Sequence, residues 1–220
     1  MNAGPAGRDR RTPPNEQEKR MSPGDQESAL LVRAAEAEQL ETMGVWLYAD
    51  HETTRGRFSA NRTFLPAGAE GPPPHFHTGS AELFFVLAGT LRVLAGDEIV
   101  DLTANDFLLI PPYMPHAWAA TADVPADVLV TFTPGIERFE YFRLGDRIRR
   151  GTADPREILD TQDRFDNHFV NSAVWRRDRT GDDRPALDVQ EHRAEFLSSA
   201  VLRRADSRTE TNPAQSRGGE

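Results

Sequence analysis

The sequence predicts a mainly β protein, a jelly-roll sandwich or barrel with helices after it. Three observations lead there. Between Val45 and Phe132, short apolar runs recur at close spacing with turn residues between them. After Phe132 the apolar period lengthens, and Ile136, Phe139, Phe142 and Leu144 fall at roughly helical spacing. Only 38% of the 220 residues are hydrophobic, but the deficit sits at the two ends, so the middle retains enough apolar residues for one core.

The elements follow in chain order. Residues 1–27 are polar and rich in Pro, Gly, Arg and Glu. They are expected to be disordered, because they bury too little area to offset the entropy of ordering. Ala29–Met43 has moderate helix propensity, with Gly44 to end it. The alternative for its first part is an edge strand at Leu30, Leu31 and Val32. Strands are expected at Val45–Ala49, Arg57–Phe64, Ala81–Leu87, Thr90–Leu94, Glu98–Leu102, Phe107–Ile110, Ala117–Ala120 and Asp127–Phe132. The turns between them include Ala88-Gly89, Gly96-Asp97 and Asn105-Asp106. Thr133 is expected to cap a helix running through Arg150, with Pro134 in its first position. A second helix is expected from Asp154, with Pro155 next and Glu157 completing a capping-box-like pair. The apolar cluster Phe165–Val170, with Val174 and Trp175, should pack back on the barrel. The domain reading is a tail over 1–27, a barrel with its lead-in over 28–134, a helical segment packed on it over 135–180, and a polar, largely flexible tail over 181–220. That tail contains one weak helix, Pro185 to Arg203.

Composition removes several chemistries. There is no cysteine, so disulfides, thiolate metal sites and cysteine nucleophiles are excluded. Lys19 is the only lysine, which excludes a lysine Schiff base in the core. A formal charge of −9 argues against binding a nucleic-acid backbone. No run approaches the length of a membrane span, and no secretory apolar region opens the chain. A cytoplasmic protein acting on a small molecule, with no nucleic acid or membrane partner, is the expectation.

The chemistry is carried by four residues. His75-Phe76-His77 follows three prolines, Pro72 to Pro74, which favour extended backbone. Residues i and i+2 of a strand share a face, so His75 and His77 aim two imidazoles at one point. Glu82 follows after a turn at Thr78-Gly79-Ser80, and Pro111-Pro-Tyr-Met-Pro-His116 offers a third imidazole at a strand start. Imidazole and carboxylate suit a divalent transition metal: Fe, Mn, Ni, Cu, Co or Zn. Two neighbouring positions on such an ion would remain for substrate, or for substrate and O₂.

His75-x-His77, four residues, Glu82, six residues and Gly89 resemble the first motif of the cupin superfamily, and Pro111-x-Tyr113-x-x-His116 resembles the second. The likeness covers about Val45 to Thr133. It implies a single-domain cupin, a six- to eight-stranded barrel with a metal inside. Three positions depart from the pattern. Ala69 stands where a glycine is usual six residues before His75. Tyr113 replaces the second motif's glycine, so the turn there need not be left-handed. Ala120 replaces its terminal asparagine. The stretch Pro134-Gly-Ile-Glu-Arg-Phe139 is similar to the helix that follows the barrel in quercetinase-like single-domain cupins. That points to a dioxygenase acting on a hydroxylated aromatic or enolisable small molecule, and the superfamily's habit implies a homodimer, with residues 29–34 as a candidate exchanged strand.

Glu82 has two functional readings, metal ligand and general base, beside that of a carboxylate which only orients a ligand histidine; ligation is favoured. Phe76, Phe84, Phe107, Tyr113 and Trp118 could line an apolar pocket, although barrel core is the simpler assignment for most. Tyr113, beside His116, is the best pocket and catalytic candidate. His51, His168 and His192 are read as a loop residue, a packed residue and a tail residue. Arg147, Arg149 and Arg150 are read as charges at a helix C-terminus. The alternative functions are a non-redox cupin isomerase, cyclase or decarboxylase, and a non-catalytic small-molecule-binding cupin.

Overall fold

A computed structural model describes residues 28–182. The expectations for 1–27, for His192, for the helix Pro185 to Arg203 and for the last residues lie outside that range. Ten strands form one antiparallel sheet of order β1-β2-β3-β9-β5-β8-β4-β10, with β6 and β7 also paired to β5. The strands are β1 (Glu38–Leu40), β2 (Val45–Ala49), β3 (Ser59–Leu65), β4 (His75–Phe76), β5 (Ala81–Ala95), β6 (Glu98–Thr103), β7 (Phe107–Ile110), β8 (His116–Ala120), β9 (Ala126–Thr133) and β10 (His168–Phe169). Four helices are found among the described residues: α1 (Phe139–Arg149), α2 (Glu157–Asp160), α3 (Gln162–Phe165) and α4 (Ala173–Thr180). The mainly β architecture with C-terminal helices is therefore as the apolar spacing predicts. No helix among the described residues is long and apolar enough to cross a membrane.

Strand β5 organises the barrel. Its first half pairs with β7 and β9, and its second half with β6 and β8. Two strands were expected here, with a turn at Ala88-Gly89; instead one strand runs through, bent where its register against β9 shifts between Val86 and Ala88. The bulge changes which residues face inward. Glu82, Phe84 and Val86 are buried before it, and Leu91 and Val93 after it. Gly89 makes the bend possible. Its φ is +78°, and a Cβ there would lie 1.8 Å from the Pro125 carbonyl oxygen, so only glycine fits.

The core inside the barrel joins Phe84, Val86, Leu91, Val93, Trp118, Val128, Val130 and Phe132. Strand β8 is buried on both faces, because Trp175 of α4 covers Ala117, Ala119 and Leu94 from outside. Phe165 and Phe169 pack with Leu144, Ile148, Ile158 and Leu159. Phe169 also lies in β10, which pairs with β4.

Two local expectations fail for identifiable reasons. Ala29–Met43 is not helical: irregular backbone and a turn lead into β1, which forms a hairpin with β2, and Leu30 and Leu31 are exposed. Tertiary pairing of Leu40 with Val45 outweighs a weak helix propensity. Nor does Thr133 cap a helix. It ends β9, the Thr133–Pro134 peptide is cis, and residues 134–136 are held by other groups. Ser80 Oγ donates to the Pro134 carbonyl, Gly135 N to the Gly56 carbonyl, and Ile136 N to Ser59 Oγ. The helix starts later, where the Asp50 carboxylate accepts from the backbone N–H groups of Arg138 (2.9 Å) and Phe139 (3.3 Å). The Asp154–Glu157 pair does form as expected, with Arg156 N donating to Asp154 and Asp154 N to Glu157, although α2 begins only at Glu157.

The bend in β5 sets a test. Gly89→Ala should cost about 3 kcal/mol or more in unfolding free energy, from a left-handed φ plus a backbone clash. Gly96→Ala is the control, with φ +65° but nothing within 4 Å of its Cβ, and should cost about 1–2 kcal/mol. Urea unfolding of the two variants measures the gap, and equal midpoints would refute the close approach at Gly89.

Candidate metal centre

His75, His77, Glu82 and His116 come together, with one potential ligand atom from each within 4.8 Å of the others. All four are buried, at 2% exposure or less. Three separate elements deliver them. His75 lies in β4 opposite His116 at the start of β8, His77 lies just beyond β4, and Glu82 is the first inward residue of β5.

Each imidazole is oriented from behind by a main-chain carbonyl. His75 Nδ1 donates to the Pro73 carbonyl at 2.8 Å, His116 Nδ1 to that of Met114 at 2.9 Å, and His77 Nδ1 to that of Asp166. A carbonyl only accepts, so the Nδ1 atoms carry the protons and the Nε2 lone pairs face the centre. There they meet Glu82 Oε2, which lies 2.6 Å from His116 Nε2, 3.0 Å from His77 Nε2 and 3.9 Å from His75 Nε2. Four lone-pair donors pointing at one another repel unless a cation lies between them. A proton bridges one pair, whereas a divalent ion satisfies all four. Ligands about 2.1 Å from a shared ion lie roughly 3–4 Å apart; the separations of 3.0 and 3.9 Å fall in that range, and the one of 2.6 Å is a hydrogen-bond distance. The donor set therefore suits a first-row transition metal.

The electrostatics point the same way. Burial pushes His75 well below the usual histidine range, and the neighbouring His116 and His77 add to it. Burial also lowers His77, helped by the Arg138 charge. For Glu82 burial raises the pKa, but contacts with His116 and His77 outweigh it and hold the carboxyl well below its ordinary value. His75 and His77 are thus favoured neutral and Glu82 ionised, the forms a metal binds.

A residue outside the barrel motifs supports this centre. Asp166 has φ +46°, and its carbonyl orients His77. Its carboxylate accepts from Thr78 N, Thr78 Oγ1 and Gly79 N at 2.7, 2.7 and 2.9 Å. It therefore fixes the turn between His77 and Glu82. Arg138, 2% exposed, places Nη2 3.1 Å from His77 Nδ1 and 3.3 Å from Nε2. Its guanidinium carbon lies 4.2 Å from the centre of the Phe132 ring and 5.0 Å from that of Tyr141. Sequence reasoning singled out neither residue. The only signals were the Pro134–Phe139 stretch, which contains Arg138, and the cluster after Phe165.

A cavity of about 100 Å³, open to solvent at its mouth, reaches His75 and Glu82. Trp118, Val130, Phe132, Tyr141, Phe142 and Phe169 supply apolar wall, and Asn61, Thr63, Arg138 and Asn167 supply polar groups. Of the aromatics considered from sequence, only Trp118 lines it. Phe84 is core at 0% exposure and Phe107 is 59% exposed. Tyr113, expected in the pocket, is instead 68% exposed and stacked on Phe76, so its ring does not line the cavity. Its φ is +65°, so the turn is left-handed despite the missing glycine. Tyr113 N donates to the His77 carbonyl at 2.7 Å, and that bond holds the turn. His51 sits partly exposed beside Asp50, and His168 stacks on Phe76 near Asp166. Arg147 and Arg149 occupy the last turn of α1.

The description of the cupin domain family matches residues 61–132. No curated protein matches the chain. Among solved structures, a cupin protein from Bacteroides fragilis is 27% identical, over 38% of this chain and 72% of its own, with a TM-score of 0.36. KdgF from Halomonas sp. is 20% identical over 52% and 98%, with a TM-score of 0.42. Streptomyces PAC13 with uridine is 15% identical over 49% and 84%, with a TM-score of 0.40.

Two outcomes test the centre. His77→Ala should weaken metal binding by at least about tenfold, and Asp166→Ala by a comparable factor through the freed turn. Metal titration of the purified variants measures this, and wild-type affinity in the single alanine variants of His75, His77 and His116 alike would rule the site out. In metal-free protein the lowered pKa values of His75 and His77 mean that the unfolded chain binds more protons than the folded one below about pH 6.5. Stability should therefore fall as pH drops from 6.5 to 5, read as a declining urea midpoint. A midpoint that rises over that interval would contradict buried neutral imidazoles.

Proposed function

We propose that this protein, whose residues 61–132 form a cupin domain, is a metal-dependent enzyme that oxygenates a small hydroxylated aromatic or enolisable molecule. The observation that carries the reading is the convergence of three backbone-oriented imidazoles and an ionised carboxylate at the inner end of an apolar-walled cavity. His75, His77, Glu82 and His116 would hold a divalent transition metal. When bound, such an ion supplies Lewis acidity, a place for substrate oxygens and, if redox-active, access to O₂ chemistry.

The chain's own groups define the rest. The aromatic walls fit a flat or apolar body. Glu82 is held ionised and lies against the cavity, so its carboxylate is placed to accept the proton of a substrate hydroxyl. Loss of that proton leaves an electron-rich oxygen anion, the form in which an enol or phenol reacts with O₂. Both atoms of O₂ then enter the product, and no external reductant is required. The carbonyl-held imidazoles keep their tautomers throughout, so the histidines need no rearrangement.

The test is metal analysis of protein purified without added ions, then O₂ uptake on protein loaded with Fe, Mn, Ni, Cu or Co in the presence of flavonols and catechols. Uptake coupled one to one with substrate loss is expected. Substrate loss without O₂ uptake would move the protein to the non-redox isomerase, cyclase or decarboxylase class, and a ligand recovered unchanged would make it a binding protein. Glu82→Gln separates the roles of Glu82: retained metal with turnover lowered about a hundredfold or more marks it as base, and lost metal marks it as ligand.

A further inference from the structure

The polar atoms of the cavity narrow the substrate class, given the reading of this cavity as the substrate site. Four buried side-chain atoms there have no hydrogen-bond partner: Arg138 Nε, Asn167 Nδ2, Trp118 Nε1 and Asn61 Oδ1. All four residues line the cavity that reaches His75 and Glu82, and none is more than 5% exposed. Three of these atoms are donors and one is an acceptor, so the complement is richer in acceptors than in donors.

Arg138 adds a fixed charge. A guanidinium stays protonated even when buried, and a buried cation is normally paired with an anion. Among the described residues no carboxylate is in ion-pair contact with Arg138, although Glu82, Asp166 and Asp50 favour its charge from farther off. Asp50, the acid nearest in sequence logic, uses both oxygens on backbone N–H groups at the start of α1. The contact with His77 provides no charge, because Nδ1 is committed to the Asp166 carbonyl and Nε2 faces Glu82. Asn167 Oδ1 accepts from Nη1 only at 3.5 Å. The Phe132 and Tyr141 rings offset part of the cost through cation–π contact, but they leave Nε without a partner.

We propose that Arg138 is the anchor for a carboxylate of the substrate, so that this cavity takes an organic acid rather than a neutral molecule. A carboxylate matches the planar fork of a guanidinium with two charge-assisted bonds. Within the proposed reaction class, the substrate is then a hydroxylated aromatic acid or an enolisable keto acid. Its carboxylate is held at Arg138 and its reactive oxygen at the Glu82 end. Arg138 is a specificity residue and takes no part in bond breaking.

Acids are compared with their isosteric amides: salicylate with salicylamide, and pyruvate with pyruvamide. Affinities are measured by calorimetry on full-length protein, first stripped with a chelator and then loaded with Zn²⁺. On stripped wild-type protein at least one acid should bind about tenfold or more tighter than its amide. The ratio should fall towards one in Arg138→Gln and be partly kept in Arg138→Lys. Asn167→Asp supplies an internal counter-ion, and it should also reduce the ratio without removing the arginine. That variant decides the matter if Arg138→Gln does not fold. A ratio near one in the wild type, a ratio unchanged in Asn167→Asp or in folded Arg138→Gln, or no binding of either acid, overturns the proposal. Failure of metal binding or O₂ uptake bears only on the proposed function, because the comparison on stripped protein uses neither.

Discussion

The structure depends on one constraint: four lone-pair donors are buried face to face at the inner end of the barrel. Glu82 Oε2 approaches two imidazole nitrogens within 3.0 Å, and carbonyls behind the rings already hold the Nδ1 protons. A proton shared between Glu82 and one imidazole relieves a single contact and leaves the other acceptors facing one another. The barrel must therefore hold the cluster together against a penalty that a central cation removes. Metal affinity and barrel stability would in this sense be one quantity, since an ion that binds only the folded state stabilises it by mass action.

That constraint explains why so much of the chain is tied to so few side chains. The bend at Gly89 changes the inward parity of β5, so that one strand presents Glu82 at one end and the core residues Leu91 and Val93 at the other. Pairing of His75 with His116 across β4 and β8 sets the distance between two of the rings. β4 is only two residues long, and it is braced on its other side by β10, which comes from far along the chain. A strand so short is marginal alone. The segment after the barrel is thus part of the site's framework.

Most of the barrel was legible in sequence because its signals are local. Alternating burial in β5 and β9 follows from period-two apolar spacing, and the four candidate ligands follow from two strand motifs. What escaped was non-local or carried by the backbone. A reading of Ala88-Gly89 as a turn is natural, because a left-handed glycine serves a turn and a bulge equally well. Tyr113 keeps a left-handed turn without glycine because its N–H is held by the His77 carbonyl, a partner 36 positions away (113 minus 77). Asp166 and Arg138 reach the centre only through tertiary packing, and the sequence around them signals a helix and an apolar cluster rather than a role at the centre. The start of α1 was misplaced for the same reason, since its cap is Asp50, at the end of β2.

The charges in the cavity bind these observations into one argument. Glu82 contributes −1 and Arg138 +1, with His75 and His77 neutral, so the two charged groups cancel without a metal. A divalent ion would leave that pair and the ion with a net +2, buried among Phe132, Tyr141 and Phe169. Surroundings of low polarity make such an excess costly. A substrate that brings a carboxylate to Arg138 supplies one negative charge and halves the excess to +1. Transfer of its hydroxyl proton to Glu82 leaves that total unchanged and only moves negative charge to the metal end. A neutral substrate leaves the full +2. Electrostatics would then favour acids over neutral molecules at Arg138 and an ionised hydroxyl at the metal end. The first choice rests with the segment appended to the barrel and the second with the barrel itself, so exchange of the appended segment could alter selectivity while the four ligands stay in place.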